Sequence, residues 1–163
     1  MADALYEQDF IAWTEQQARL LRGEAARGSN RALDWENLAE EVEGLGRSER
    51  RELSSQLRRI MEHLWKLEFS PAVEPRAGWR GSIANARAEI RTLLRSDPGL
   101  RPRIPDLILE EAADAADLAI EALRSHGENI QTLISHTKSG RTYSEAQILG
   151  DWFPDRPDLP PLR

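Results

Sequence analysis

The chain has 163 residues, the length of one ordinary domain, and its 40% hydrophobic and 31% charged residues are typical of a folded globular protein. It contains no cysteine, which excludes a disulfide framework, cysteine-ligated zinc and a thiol nucleophile. The 22 Lys and Arg residues against 28 Asp and Glu give a net charge of -6. This balance argues against a nucleic-acid partner, because nucleic-acid binding uses cationic side chains to displace counterions.

No targeting or membrane-spanning segment is visible in the sequence. Apolar runs are only a few residues long, far below the ~18 that indicate a membrane span. The first ten residues carry Asp3, Glu7 and Asp9 without a basic segment, so they do not resemble a secretory signal. We therefore expect no membrane partner and a cytoplasmic location.

The first part of the chain predicts two helices separated by glycines. The first has an apolar stripe at helical spacing that ends near Gly23, formed by Tyr6, Phe10, Trp13, Leu20 and Leu21 with Gln17 among them. Asp34 is a favourable N-cap for a short second helix, whose apolar positions are Trp35, Leu38, Ala39 and Val42. Gly44 and Gly46 then predict a bend or break, because a glycine inside a helix is about 1 kcal/mol less favourable than alanine.

Two longer helices are predicted next. Ser48 can cap the third helix, which should run to about Phe69 before Ser70 and Pro71 interrupt it. The fourth has the clearest apolar stripe, starting at Trp79, and ends before the turn at residues 97–99.

The fifth helix, which starts near Pro105, has the widest apolar arc of the chain. The arc contains Ile108, Leu109, Ala112, Ala115, Ala116, Ala119, Ile120 and Leu123. An arc wider than one bundle face requires predicts that this helix is the most buried one, or that it supplies apolar contact in a homodimer.

The helical signal weakens after Gly127. Residues 128–135 predict one short helix, and Ser144 with Gln147 resembles a capping box that opens another through Leu149. The predicted fold is therefore all-α: a helical bundle of about five main helices with short C-terminal helices. We expect a single helical domain over residues 1–153 and an irregular proline-rich tail over residues 154–163.

Four polar residues within or beside apolar faces are candidates for an internal site: Gln17, Glu41, His63 and Glu111. A buried carboxylate or imidazole needs a partner, so these residues either meet each other or bond to local neighbours. The Glu-x-x-His spacing of metal-binding bundles is missing, since Ile60 stands three residues before His63. The sequence therefore predicts no metal site and no cofactor.

No catalytic motif can be identified. The acidic motifs of all-helical nucleotide pyrophosphatases are not matched, because Gly44 stands where their first motif needs a glutamate. Whether the protein is an enzyme, and which residues would be catalytic, is left open by the sequence.

A row of arginines lies to one side of the apolar stripe of the fourth helix, namely Arg80, Arg87, Arg91 and Arg95. Four guanidinium groups could bind a phosphate-bearing or acidic ligand. The alternative is ion pairing with the acidic row of the fifth helix, in this chain or in a second copy; that row contains Glu110, Asp114, Asp117 and Glu121.

Several segments resemble one bacterial family, named domain of unknown function 29. They are Leu5–Trp13, Leu33–Gly46, Arg51–Leu53, His63-Leu64, Trp79-Arg80, Ile148-Leu149 and Trp152–Pro154. The resemblance covers nearly the whole chain, with residues 125–142 fitting least well, and it implies an all-helical bacterial protein without an assigned activity.

Two classes of function remain for the chain. We favour a protein-interaction module that binds an unknown protein partner through the fifth helix or the arginine row. The alternative is a small enzyme or ligand-binding protein that uses the polar cluster. A binding surface needs no motif, so the lack of motifs weakens the enzyme interpretation more.

Overall fold

A computed structural model describes residues 2–28, 32–156 and 158–159 of the chain. These residues form seven α-helices and one 3₁₀ segment, with no strand among them, which confirms the predicted all-α class. The helices are α1 (Ala2–Gln8), α2 (Phe10–Ala26), α3 (Trp35–Phe69), α4 (Arg76–Ser96), α5 (Ile104–Ser125), α6 (Gln131–Lys138) and α7 (Glu145–Leu149), and the 3₁₀ segment is Pro98–Arg103. None of these described helices is both long and apolar enough to cross a membrane.

The fold divides into two compact units. The first comprises Met1–Leu53 and Arg91–Arg103, and the second comprises Ser54–Ile90 and Ile104–Arg163. Helices α3 and α4 each contribute residues to both units. The single helical domain over residues 1–153 stays a prediction.

In the first unit, Asp9 separates α1 from α2, where the sequence predicted one helix. Its side chain caps α2 by accepting a hydrogen bond from the Ala12 N–H at 2.9 Å. The same carboxylate accepts from Arg103 at 3.1 Å. Gly99 lies so close that a Cβ built on it would stand 2.5 Å from Asp9 Cα, so the 3₁₀ segment packs directly on the start of α2.

Helix α3 is continuous from Trp35 to Phe69, so the predicted break at Gly44 and Gly46 is wrong. Gly46 is buried against α2, and a Cβ on it would overlap Thr14 Oγ1 and stand 3.4 Å from Ile11 Cα. The glycine allows two helices to approach closely, and this packing outweighs its low helix propensity.

The core of the second unit is built mainly by the C-terminal half of α3. Its fully buried apolar side chains include Leu57, Ile60, Met61, Leu64, Trp65 and Leu67. Helix α5 instead exposes Leu109 to 68% and Leu118 to 46%, so the prediction that α5 is the most buried helix is wrong. Helix α5 has a polar stripe, so only one of its faces packs into the core. Small residues such as Ala115 and Ala119 are fully buried on that face.

The C-terminal helices agree with the sequence prediction. Helix α6 lies slightly after the predicted 128–135 segment, and α7 begins with the predicted capping box between Ser144 and Gln147. Within the predicted irregular tail, the described residues 154–156 and 158–159 contain no helix. The remaining tail residues, 157 and 160–163, lie outside the described residues.

Candidate interaction surface

The four polar residues predicted to form an internal site are divided between the two units. Gln17, half-buried, and Glu41, exposed, belong to the first unit, whereas His63 and Glu111 belong to the second. His63 Nδ1 lies 2.8 Å from the carbonyl oxygen of Arg59, one turn earlier in α3. Burial lowers the pKa of His63, which favours its neutral form.

Glu111 has its own partners within the second unit. It accepts a hydrogen bond from Ser54 Oγ and one from Arg58 Nη1 at 3.2 Å, which joins α5 to α3. Among the residues that the structure describes, no three His, Cys, Asp or Glu side chains are grouped so that they could hold a metal ion. Neither unit contains all four predicted residues.

The predicted arginine row has an inner and an outer part. Arg87 is 4% exposed, and its guanidinium donates at 2.8–2.9 Å to the backbone carbonyls of Gln147, Ile148 and Trp152. Arg80 and Arg87 also lie over the Phe153 ring, 4.2 and 4.9 Å from its centroid. Arg91 and Arg95 are exposed. Half of the row thus fixes the C-terminal segment.

Two carboxylates of the acidic row of α5 have partners outside the arginine row. Asp114 Oδ2 lies 4.0 Å from Arg58 Nη1, and Glu121 pairs with Arg124 at 3.0 Å on the same helix. The carboxylates of Asp114 and Glu121 therefore lie near arginines of α3 and of α5 itself, within the second unit.

In the first unit, α2 and the first part of α3 form an antiparallel hairpin. Thr14 meets Gly46, whereas Arg22, two turns later in α2, meets Glu43 at 2.7 Å and Glu36 at 4.0 Å. As the residue numbers of the contacts increase along α2, those of their partners in α3 decrease, so the two helices are antiparallel. The buried contact uses small side chains of α2 and α3, since Ala18 and Ala39 are fully buried.

One flank of this hairpin is polar and ion-paired. Glu43 bonds to Arg22 and also lies 3.2 Å from Arg47. The hydrogen bond from Arg22 lowers the pKa of the Glu43 carboxyl, and the same bond raises the pKa of Arg22. These charges stay partly solvated, so this flank needs no partner.

The opposite flank carries exposed leucines. At about 100° per residue, Leu20 stands about 120° from Thr14 on one side, and Arg22 stands about 80° from it on the other. By the same geometry Leu45 stands about 100° from Gly46, on the side away from Glu43.

The leucines of this flank, which Glu24, Glu41 and Glu49 interrupt, make one surface candidate. The exposed fractions of its leucines are 58% for Leu20, 40% for Leu38 and 53% for Leu45. Half-buried Trp13 lies on the same side of α2. We call Trp13, Leu20, Leu38 and Leu45 the hairpin face; Gln17 falls within it and Glu41 borders it.

The sequence does not reveal this surface, because its apolar stripes resemble those of core helices. Leu20 and Leu38 belong to the apolar stripes of the predicted helices, and Leu45 stands between the two glycines of the predicted bend or break. The informative signal was a second face of small residues, Thr14 and Ala18 in α2 and Ala39 and Gly46 in α3, which meets the neighbouring helix instead.

Comparison with known proteins gives one family and one solved structure. The family model described as "Domain of unknown function DUF29" matches residues 5–153. The crystal structure of an alpha-helical protein of unknown function from Rhodospirillum rubrum is 29% identical, with a TM-score of 0.64, and the match covers 91% of this chain and 90% of that chain. No curated protein matches the chain.

Proposed function

The chain belongs to the family of domain of unknown function DUF29, and because that description assigns no activity, we propose from the chain's own geometry that it is a protein-interaction module. The match confirms the resemblance found in the sequence. The observation that carries the proposal is the row of exposed leucines on one flank of the α2–α3 hairpin, Leu20, Leu38 and Leu45. A bacterial cytoplasm, in keeping with the cysteine-free composition, is part of the same proposal.

The energetics of the hairpin face favour a protein partner. Single exposed leucines are common on protein surfaces, but several on one flank form a patch of the kind found at interaction sites. Complete burial of a leucine contributes about 1.5–3 kcal/mol, so covering these half-exposed side chains contributes roughly 1 kcal/mol each. Three such side chains correspond to on the order of 100-fold in affinity.

A second copy of the chain is the partner that we propose. A two-helix hairpin covers each helix on one side only, and packing two hairpins face to face makes the four-helix arrangement that covers both. Such a contact is self-complementary, as required by the twofold symmetry of most homodimers. The apolar arc of α5 is less suitable than we expected from the sequence, because Ala115 and Ala119 are already buried within the chain.

Sedimentation velocity at micromolar concentration tests this proposal. We expect the wild type to sediment as a dimer and the Leu45→Glu variant as the 18.5 kDa monomer with an unchanged far-UV circular dichroism spectrum. The matched control is Leu109→Glu, which places the same charge at an exposed leucine of α5 and should remain dimeric.

Two results would contradict the proposal at different points. A wild type that stays monomeric up to 100-fold higher concentration would exclude the second copy and leave a different protein as the partner. A Leu45→Glu variant that dimerises as strongly as the wild type would exclude the hairpin face.

A further inference from the structure

The second unit contains a cleft of about 790 Å³, a volume in the range of small-molecule sites. It lies between the C-terminal ends of α3 and α5 and the connection that leads from α3 into α4. Its apolar wall is formed by Pro71, Pro75, Trp79, Ala122 and Leu123. An apolar wall with a few polar groups is the usual composition of a ligand site.

The charge that remains unneutralised in this cleft is negative. Lys66 lines it, but its ammonium group donates to Glu62 one turn earlier in α3. Glu74 and Glu128 also line it and contribute two carboxylates, and His126 lines it with its Nδ1 2.7 Å from the Ala122 carbonyl oxygen. The C-terminal end of α5 adds partial negative charge from the helix dipole, whereas the last carbonyls of α3 already accept from Arg76 and Arg156. A cation is therefore favoured over an anion in this cleft.

Glu128 is the polar group with unused bonding capacity. Its Oε1 accepts a hydrogen bond from Ser70 Oγ at 3.0 Å. Its Oε2 is shielded from solvent and has no hydrogen-bond partner among the described residues. A buried carboxylate oxygen without a donor is unfavourable, and the terminal torsion of a glutamate turns easily, so rotation towards the cleft that Glu128 lines lets this oxygen accept from a donor there.

We propose that the cleft binds a small organic cation, a primary ammonium group attached to an apolar body. The ammonium donates to Glu128, and the apolar body packs against Trp79 and the two prolines. Trp79 lines the cleft and is half-buried, so part of its indole is available to the apolar body of the ligand. This site lies in the second unit and is independent of the hairpin face in the first.

Three probes that share one aromatic body test the charge preference. They are 2-phenylethylamine, the neutral 2-phenylethanol and the anionic 3-phenylpropionate, each titrated calorimetrically into the full-length chain at neutral pH. We expect the amine to bind at least ten-fold more tightly than either analogue. Equal binding of all three probes, or binding of none, would overturn the proposal.

Two variants assign the contacts. Glu128→Gln keeps an acceptor for Ser70 but removes the charge, so we expect it to abolish the preference for the amine while leaving the affinity for 2-phenylethanol within two-fold. Trp79→Leu should weaken all three probes to a similar extent. The matched control is Glu89→Gln, which removes an exposed carboxylate of α4 and should change nothing. Retention of the amine preference in Glu128→Gln, or its loss in the control, would contradict the assignment.

Discussion

Gly44 and Gly46 stand two residues apart in one helix, yet their surroundings give opposite expectations. A Cβ on Gly44 would have its nearest neighbour at Arg47 Nη2, 3.7 Å away, whereas one on Gly46 would overlap Thr14 Oγ1. Thr14 cannot move aside easily, because it is fully buried and its hydroxyl donates to the Ile11 carbonyl at 2.7 Å. Gly44 therefore only weakens the helix, whereas Gly46 permits α3 to pack closely against α2.

We predict that Gly46→Ala destabilises the protein by about 1–3 kcal/mol through overpacking. The matched variant Gly44→Ala should stabilise it by about 0.5–1 kcal/mol, because alanine is the better helix former. Urea denaturation followed by circular dichroism measures both free energies of unfolding. Equal effects of the two variants would show that α2 and α3 do not approach closely at Gly46.

The phenol of Tyr143 is an ionisable group that is buried in the fold. Burial, and then the hydrogen bond that its hydroxyl donates to Glu68 at 2.6 Å, raise the pKa of Tyr143 far above its usual range. The unfolded chain ionises this tyrosine near pH ~10, whereas the folded chain keeps it neutral. Above that pH the unfolded state holds fewer protons, so stability decreases as the pH rises.

We predict that Tyr143→Phe is about 1.5 kcal/mol less stable than the wild type at pH 7, since it loses a hydrogen bond to a carboxylate. Above pH ~10 this difference should shrink by up to about 1.4 kcal/mol per pH unit, because only the wild type has the ionisation linkage at residue 143. Denaturant titrations between pH 7 and 11 measure it. A difference that stays constant across this range would exclude the raised pKa.

At the scale of elements, arginines hold the ends of helices. Arg87 bonds to the carbonyl oxygens at the C-terminal end of α7, and Arg156 bonds to the carbonyls of Glu68 and Ser70 at the end of α3 at 2.8 and 2.9 Å. The last carbonyls of a helix have no partner inside it, and a cation there also complements the helix dipole. These contacts connect the C-terminal segment to the helices of the second unit.

We predict that Arg87→Met destabilises the protein by about 2–4 kcal/mol, since it leaves several buried carbonyls without a donor while keeping much of the side-chain volume. Arg91→Met, one turn further along α4 at an exposed position, should change stability by less than about 0.5 kcal/mol. Thermal and urea unfolding compare the two variants. Similar effects would mean that Arg87 acts only as a surface charge.

At the scale of the whole molecule, self-association and folding should be linked. Only folded chains associate into the proposed dimer, so the melting temperature of the protein rises with its concentration. We predict a rise in Tm between 1 and 100 μM for the wild type, on the order of several degrees, and none for Leu45→Glu. Differential scanning calorimetry measures both. A wild-type Tm that is independent of concentration would contradict self-association through the hairpin face.

Local features of this protein could be predicted from its sequence. Helical periodicity gave the all-α class, Asp34 caps α3 by accepting from Asn37 N–H at 3.2 Å, and Ser144 with Gln147 forms the capping box of α7. Each of these features depends on residues within about four positions of one another, where propensity and capping act. The sequence alone is sufficient at that range.

Only the tertiary structure decided which faces are buried and which arginines are inside. Gly46 meets Thr14, which lies more than 30 residues earlier, and Arg87 bonds to a carbonyl 61 residues later. The same apolar stripe fits a core face or an exposed one, because periodicity records which side chains share a face and not what covers it. Close packing between distant segments decides which face is buried. In α2 and α3 the small residues form the helix–helix contact, and the leucines stay exposed.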